Sequence, residues 1–259
     1  MTNLPENSVL IKIGGSTLGS DDTSFSDIAD LQRAGVGVII VHGGGPEVTA
    51  WMSKQGARAE FLDGLRVTDG PGLDIATAVL AGLINKRLVA ELQAAGVQAV
   101  GISGVDGGLM RGTVRLPELG FVAGDIDVAT APLEALVGAG FVPVVSPIVT
   151  DAANPRQLLN VNADTAAGAI AVAWGVTRLV FLTDVDGILD SRGRLIHRVP
   201  LETTEELIGS GVVKGGMIPK LQACSDAGHA GISAHIINGT EPEALKRCLD
   251  GAAIGTAVA

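Results

Sequence analysis

Val38-Ile39-Ile40-Val41-His42-Gly43-Gly44-Gly45-Pro46 is the stretch from which the rest of this chain can be read. Four β-branched apolar residues suit a strand buried on both faces, three glycines cannot continue it, and proline is accepted in the first turn of a helix. Strand, tight loop and helix follow one another. Glycines at such a turn let backbone N–H groups approach an anion, and the helix N-terminus adds a favourable dipole. Phosphate or carboxylate binding is the chemistry implied. A turn of purely structural purpose would look the same, because the run is neither the GxGxxG fingerprint nor a P-loop.

Moving outward toward the N-terminus, residues 9–13 read as a strand that ends at Gly14-Gly15. Lys12 would then sit among apolar neighbours at the strand's C-terminal end, an expensive position for an ammonium group without a partner. A helix is expected over 21–34, capped by Ser20 or Asp21 and stopped by Gly35. On the other side, the helix opened by Pro46 runs to Gln55-Gly56, and 59–67 reads as a hairpin turning at Asp63-Gly64. Arg66 follows that turn between Leu65 and Val67, where its guanidinium could grip a carboxylate or pair with Asp69. Residues 73–95 form the longest helical pattern, about 35 Å. Its apolar residues, among them Ile75, Val79, Leu80, Leu83, Ile84 and Leu88, cover more than one stripe, so a second burial surface and a homodimer are expected.

Further along, a strand over 99–102, a β-hairpin excursion within 109–127, a helix over 132–137 and a strand over 142–146 lead to Pro147 and a polar loop reaching Gln157. Asn160-Val161-Asn162-Ala163-Asp164 then enters a helix over 165–174. Capping accounts for part of this segment; the rest reads as ligand contact by Asn160 and Asn162 and an acid that orients a lysine. After a strand over 178–182, Thr183-Asp184-Val185-Asp186-Gly187-Ile188 lacks the remaining ligand positions of a calcium loop and suits a turn beside a nucleotide. A helix near 202–208 precedes Lys214-Gly215-Gly216-Met217-Ile218-Pro219-Lys220, where a lysine opposes the dipole of the helix it opens and calls for an anion. A strand over 232–238, a helix over 241–249 and a strand over 252–258 complete an α/β alternation. Such a pattern predicts a mainly parallel sheet with helices on both faces and ligand loops at the strands' C-terminal ends.

The totals agree with this outline. At 259 residues the chain can form one large domain or two moderate ones, and 47% hydrophobic residues with 36 glycines suit a packed sheet with many tight loops. A net charge of −10 disfavours nucleic acid and anionic membranes as partners. No apolar run reaches the ~20 residues of a membrane span and no basic-then-apolar leader is visible, so a cytoplasmic location is the default. Cys224 and Cys248 have no metal-ligand spacing, and His42, His197, His229 and His235 share no motif, so no metal site is expected. Two glycine-embedded lysines without a Walker sequence suggest phosphoryl transfer by positioning and charge neutralisation. A carboxylate acceptor suits a site with no evident general base, because it is already ionised at neutral pH.

Seven segments in order resemble the amino acid kinase family over nearly the whole chain. They are Lys12-Ile13-Gly14-Gly15, His42-Gly43-Gly44-Gly45-Pro46, Gly64-Leu65-Arg66-Val67-Thr68, Asn85-Lys86, Asn160 through Asp164, Leu182-Thr183-Asp184-Val185 and Gly216 through Lys220. The likeness is greatest to the branch that acts on N-acetyl-L-glutamate. It implies a three-layer αβα sandwich forming one domain over 1–259, with acyl amino acid binding and dimerisation in a lobe of about 1–175 and ATP binding in a lobe of about 176–259. The implied reaction is ATP-dependent phosphorylation of the side-chain carboxylate to N-acetylglutamyl 5-phosphate and ADP, the second step of arginine biosynthesis. By resemblance, Lys12 and Lys220 stabilise the transferring phosphoryl group and Asp164 holds both ammonium groups. Gly44, Gly45, Arg66, Asn160 and Asn162 bind the acyl amino acid, with Arg66 on its α-carboxylate. Gly14, Gly15, Thr183, Asp184, Val185, Asp186, Gly187, Ile188, Lys214, Gly215, Gly216 and Met217 surround ATP, whose Mg2+ is held by phosphates and water. The first strand begins by Val9, leaving no room for the N-terminal helix of hexameric, arginine-inhibited members, so a dimer with little arginine feedback is expected. A sister kinase acting on carrier-linked aminoadipate or glutamate, and a catalytically silent nucleotide sensor, are the alternatives.

Overall fold

The computed structural model describes residues 5, 7–14, 23–62 and 64–259. The first part of the chain supplies β1 (Ser8–Ile13), α1 (Ser24–Arg33), β2 (Gly37–His42), α2 (Gly45–Lys54) and a short hairpin of β3 (Phe61–Leu62) and β4 (Leu65–Arg66). The long helical segment consists of α3 (Gly70–Thr77), a π-helical stretch (Ala78–Ile84) and α4 (Asn85–Ala94). Then come β5 (Ala99–Ser103), β6 (Met110–Val114), β7 (Ala123–Val128), α5 (Ala131–Gly138), β8 (Val142–Ser146), β9 (Ile148–Asp151), β10 (Leu158–Asn160) and α6 (Ala163–Trp174). The last part holds β11 (Arg178–Thr183), β12 (Arg198–Val199), α7 (Thr204–Gly209), α8 (Met217–His229), β13 (Ser233–Asn238), α9 (Ala244–Leu249) and β14 (Thr256–Val258).

One eight-stranded sheet, ordered β12-β14-β13-β11-β1-β2-β8-β5, runs through the molecule. It is parallel from β13 to β5, and β14 lies antiparallel to β13. The β-branched run proposed as a strand buried on both faces is β2, in the sheet interior between β1 and β8. Alternation divides its side chains: Ile39 and Val41 pack with Leu10 of β1 against α5, α6 and α8, whereas Val38 and Ile40 pack with Val9, Ile11 and Ile13 against α1, α4 and α9. These two clusters are the two interfaces of a three-layer αβα sandwich, as expected.

Because β1 has β2 on one side and β11 on the other, loops diverge at its C-terminal end, the position where ligands bind in open α/β sheets. A second sheet, β10-β9-β6-β7, adds its β6–β7 hairpin beside this end, bridging Val122 to Asn160 and Gly120 to Thr68.

Three expectations need correction. The helix predicted over 73–95 starts at Gly70, where Asp69 caps it by accepting from Gly72 N–H at 2.8 Å, and it widens into π geometry at Ala78–Ile84. Val79, Leu80 and Ile84 pack on α2, while Leu88 and Leu92 pack on the main sheet. The widened turn shifts the inward side from one cluster to the other, which a uniform 3.6-residue period cannot do. The polar loop after Pro147 contains a strand, β9, whose Ile148 and Val149 are buried and whose backbone pairs with β10 and β6. The last helix begins at Ala244 rather than 241, because Glu243 before it has φ +54° and cannot belong to a right-handed helix. The proposed caps Ser20 and Asp21, the turn residue Asp63 and the nucleotide contact Gly15 lie outside the described residues.

Candidate active site

Strand alternation puts Lys12 on the same face of β1 as Leu10, the face covered by α6 and α8. Each of those helices brings one partner near its N-terminus: Asp164 is the second residue of α6 and Lys220 the fourth of α8. Lys12 Nζ and Lys220 Nζ donate to the same carboxylate oxygen, Asp164 Oδ1, at 2.8 and 3.0 Å. All three side chains are buried. Two ammonium groups on one carboxylate leave a surplus positive charge away from water, an arrangement that favours an incoming anion. Burial pushes Asp164 toward protonation, but the charges and hydrogen bonds of Lys12 and Lys220 outweigh it and hold the carboxyl below its ordinary range. Desolvation and the nearby Lys12 charge lower the Lys220 pKa against the pull of Asp164. The Lys220 ammonium also lies 5.0 Å over the Phe181 ring.

Next to this trio is a cavity of about 210 Å³ lined by Lys12, Gly44, Gly45, Arg66, Asn160, Asn162 and Asp164 among others. Arg66 does not pair with Asp69, which is occupied in capping α3. Its guanidinium reaches α2 instead, donating to Gly45 O and Thr49 Oγ1 at 2.8 Å and to Met52 Sδ at 3.4 Å, and it lies 4.8 Å over the Phe61 ring. Among the described residues no carboxylate pairs with it. Burial lowers its pKa, and a buried cation of this shape at a cavity wall suits a ligand carboxylate. Gly45, Thr49 and Met52 share one face of α2 by their spacing, which is how the sequence could have revealed the guanidinium's seat.

Asn160 and Asn162 both reach the cavity, with different commitments. Asn160, at the end of β10, donates to Thr68 Oγ1 at 3.4 Å. Asn162 is the N-cap of α6: its Oδ1 accepts from Asp164 N–H and Thr165 N–H at 2.8 and 3.1 Å, so only its amide nitrogen is left for a ligand.

The segments expected around a nucleotide lie beyond this cavity, at the ends of β11 and before α8. Gly14 N–H donates to Leu182 O at 3.2 Å, tying β1 to β11 where the loops diverge. Thr183 closes the turn after β11 by donating to Val185 O at 2.7 Å, and Asp184 and Val185 are exposed. Asp186 accepts from Asn238 Nδ2 at 2.9 Å beside a separate cavity of about 220 Å³. Gly187 lies tight against Thr256, with a Cβ position 2.6 Å from its Oγ1, and Ile188 belongs to the core; its N–H donates to Thr256 Oγ1 at 2.9 Å. Both are buried, so these last two offer a ligand little. Lys214, Gly215 and Gly216 are exposed and Met217 half-buried, directly ahead of Lys220. The turn of the β3–β4 hairpin reaches this loop, with the Gly64 Cβ position 3.4 Å from the Gly215 carbonyl group.

The model of the amino acid kinase family matches residues 7–238. An acetylglutamate kinase of Dehalococcoides mccartyi strain CBDB1 is 42% identical over 100% of this chain and 96% of its own length. That of Nostoc sp. strain PCC 7120 is 43% identical over 92% and 82%. Among solved structures, smu.665 from Streptococcus mutans UA159 superposes with a TM-score of 0.84 at 26% identity, covering 97% of this chain and 98% of that one.

Proposed function

The chain belongs to the amino acid kinase family, and we propose that it transfers the γ-phosphoryl group of ATP to the side-chain carboxylate of N-acetyl-L-glutamate, within arginine biosynthesis. The observation that carries this reading is the surplus positive charge where Lys12 and Lys220 share Asp164 Oδ1 beside a cavity that also presents Arg66. Arg66 grips the α-carboxylate of the acyl amino acid, and Asn160 with the amide nitrogen of Asn162 orients it. The γ-carboxylate is then the free nucleophile. It attacks phosphorus as the bond to the bridging oxygen of ADP breaks, and Lys12 and Lys220 neutralise the charge that spreads over the transferring group. No residue needs to remove a proton, because the acceptor is ionised at neutral pH.

The nucleotide lies across Thr183–Ile188 and Lys214–Met217 of a C-terminal lobe of about 176–259, against Gly14 of the acyl-binding lobe of about 1–175, and the two lobes share the continuous sheet. Magnesium enters with the nucleotide, on phosphate oxygens and water. Asp164, the carboxylate of the trio, has Oδ1 already occupied by two ammonium groups, which makes it a poor metal ligand. The enzyme works as a homodimer through the segment Gly70–Ala94, where exposed Ala78, Gly82 and Ala90 permit close approach of a second copy. Sedimentation should give twice the 26.2 kDa chain mass; a monomer at micromolar concentration would refute the dimer. Among the described residues no helix is long and apolar enough to cross a membrane. We assign the activity to the cytoplasm.

The curated relatives carry the acetylglutamate kinase name, which disfavours the carrier-linked acceptor, and the lysine pair on Asp164 argues against a silent sensor. ADP release in a coupled assay, with N-acetyl-L-glutamate, free glutamate, aspartate and N-acetyl-aminoadipate as acceptors, tests the reading. Turnover with N-acetyl-L-glutamate well above the others is expected; preference for another acceptor would replace it.

A further inference from the structure

His42 is the last residue of β2 and continues the series Val38, Ile40 on the face opposite Lys12. Its ring is fully buried at the start of α4. Nδ1 lies 2.8 Å from Gly43 O, and a carbonyl can only accept, so Nδ1 carries the proton. Nε2 therefore accepts, from Asn85 Nδ2 at 3.2 Å. The Asn85 amide is itself oriented from both ends. Its nitrogen also faces Val144 O at 2.9 Å and Ile102 O at 3.3 Å, while its oxygen accepts from Lys86 Nζ at 2.8 Å. Lys86 Nζ donates as well to Gly101 O at 2.9 Å. Burial, with the charges of Lys12 and Lys86 acting in the same direction, lowers the His42 pKa to about 4 and keeps the ring neutral.

Both backbone groups of Gly43 are thus tied: N–H donates to Ile13 O at 3.0 Å and C=O accepts from the imidazole. In a trans peptide the next N–H points opposite to the carbonyl. With the Gly43 carbonyl turned toward His42, the Gly44 N–H faces away from that layer, toward the cavity that Lys12, Gly44 and Asp164 line. Among the described residues it donates to no acceptor. Gly44 has φ +156°, and a Cβ there would lie 2.2 Å from Ile84 Cδ1, at the end of the π-helical stretch that delivers Asn85.

We propose that His42, held by Asn85 and Lys86, is a positioning residue that turns the Gly43–Gly44 peptide so that Gly44 N–H hydrogen-bonds the phosphoryl group in transit. The inference rests on the kinase reading above. His42 touches no substrate; it fixes a donor whose bond strengthens as charge develops on the transferring oxygens.

The test pairs two isosteres. In His42→Asn the amide nitrogen falls where Nδ1 was and can still donate to Gly43 O; in His42→Gln the nitrogen falls nearer the Nε2 position and that donor is lost. His42→Gln should lower kcat about 100-fold, the scale of a lost oxyanion donor, with KM for N-acetyl-L-glutamate changed less than about 3-fold. His42→Asn should keep kcat within about 10-fold of wild type at a similar melting temperature. Equal losses of kcat in the two variants, or a change in KM alone, would overturn the proposal. On the unaltered protein, 15N spectra of labelled histidine should show the Nδ1–H tautomer of His42 from pH 8 to 5; the Nε2–H tautomer would overturn it whether or not the variants fold. A wild type without activity on N-acetyl-L-glutamate would instead defeat the kinase reading, leaving the tautomer to judge the peptide's orientation.

Discussion

Asp164 serves two cations with one oxygen, and its charge rather than its shape is what the arrangement uses. Asp164→Asn keeps the shape and removes the charge, leaving two buried ammonium groups to repel one another. Its kcat should fall by about 100-fold or more, as measured by steady-state ADP release. Arg66→Lys keeps a charge and loses the planar fork seated on Gly45, Thr49 and Phe61. There KM for N-acetyl-L-glutamate should rise about 10-fold, the equivalent of ~1.4 kcal/mol, while kcat changes little. The meeting of Lys12, Lys220 and Asp164 was legible in the sequence because a lysine at a strand end or a helix N-terminus, beside glycines, costs too much unless an anion repays it. The division of labour between Asn160 and Asn162 was not. Two amides at alternate positions look equivalent until the chain turns into α6 between them and makes one the cap.

At the scale of elements, the glycine loop and the π-helical stretch depend on each other. Gly44 combines φ +156° with a Cβ position 2.2 Å from Ile84 Cδ1 and 2.8 Å from Leu80 Cδ2. Gly44→Ala should destabilise the protein by about 1–3 kcal/mol in chemical denaturation and abolish most activity. Adding Ile84→Ala should relieve the contact but not the backbone strain, so stability should recover only in part relative to the two single changes; full recovery would show that contact alone was at fault. The strand β2 was legible because a run of β-branched residues ended by glycines has few other solutions. The π turn was not, since apolar residues on several sides of a helix fit a dimer face and a change of helical pitch equally well. Strand β9 was hidden for a related reason: only two of its four residues are apolar, and its backbone partners β6 and β10 come from other parts of the sequence.

Across the whole molecule, burial of ionisable groups sets the pH dependence of stability. The His42 pKa falls from 6.5 to about 4 on folding, so below pH 6.5 the unfolded chain binds a proton that the native state refuses. The contribution is complete above pH 6.5 and is lost as pH falls through 4, on the order of 3 kcal/mol in all. Asp164 shifts downward too, so its contribution persists above its ordinary pKa and is lost only in stronger acid. Melting curves should therefore show stability declining between pH 6.5 and 4, with a shallower decline in His42→Asn. The layered fold and the crevice at the end of β1 follow from strand–helix alternation, which sequence displays well. The second sheet beside that crevice rests on pairings between distant segments, which sequence displays poorly. The most direct test of the central claim is hydroxylamine trapping of the acyl phosphate formed from ATP and N-acetyl-L-glutamate by wild type, Lys12→Ala and Lys220→Ala. Hydroxamate is expected from wild type and almost none from either variant. Hydroxamate at near wild-type rate from a variant, or none from wild type, would contradict it.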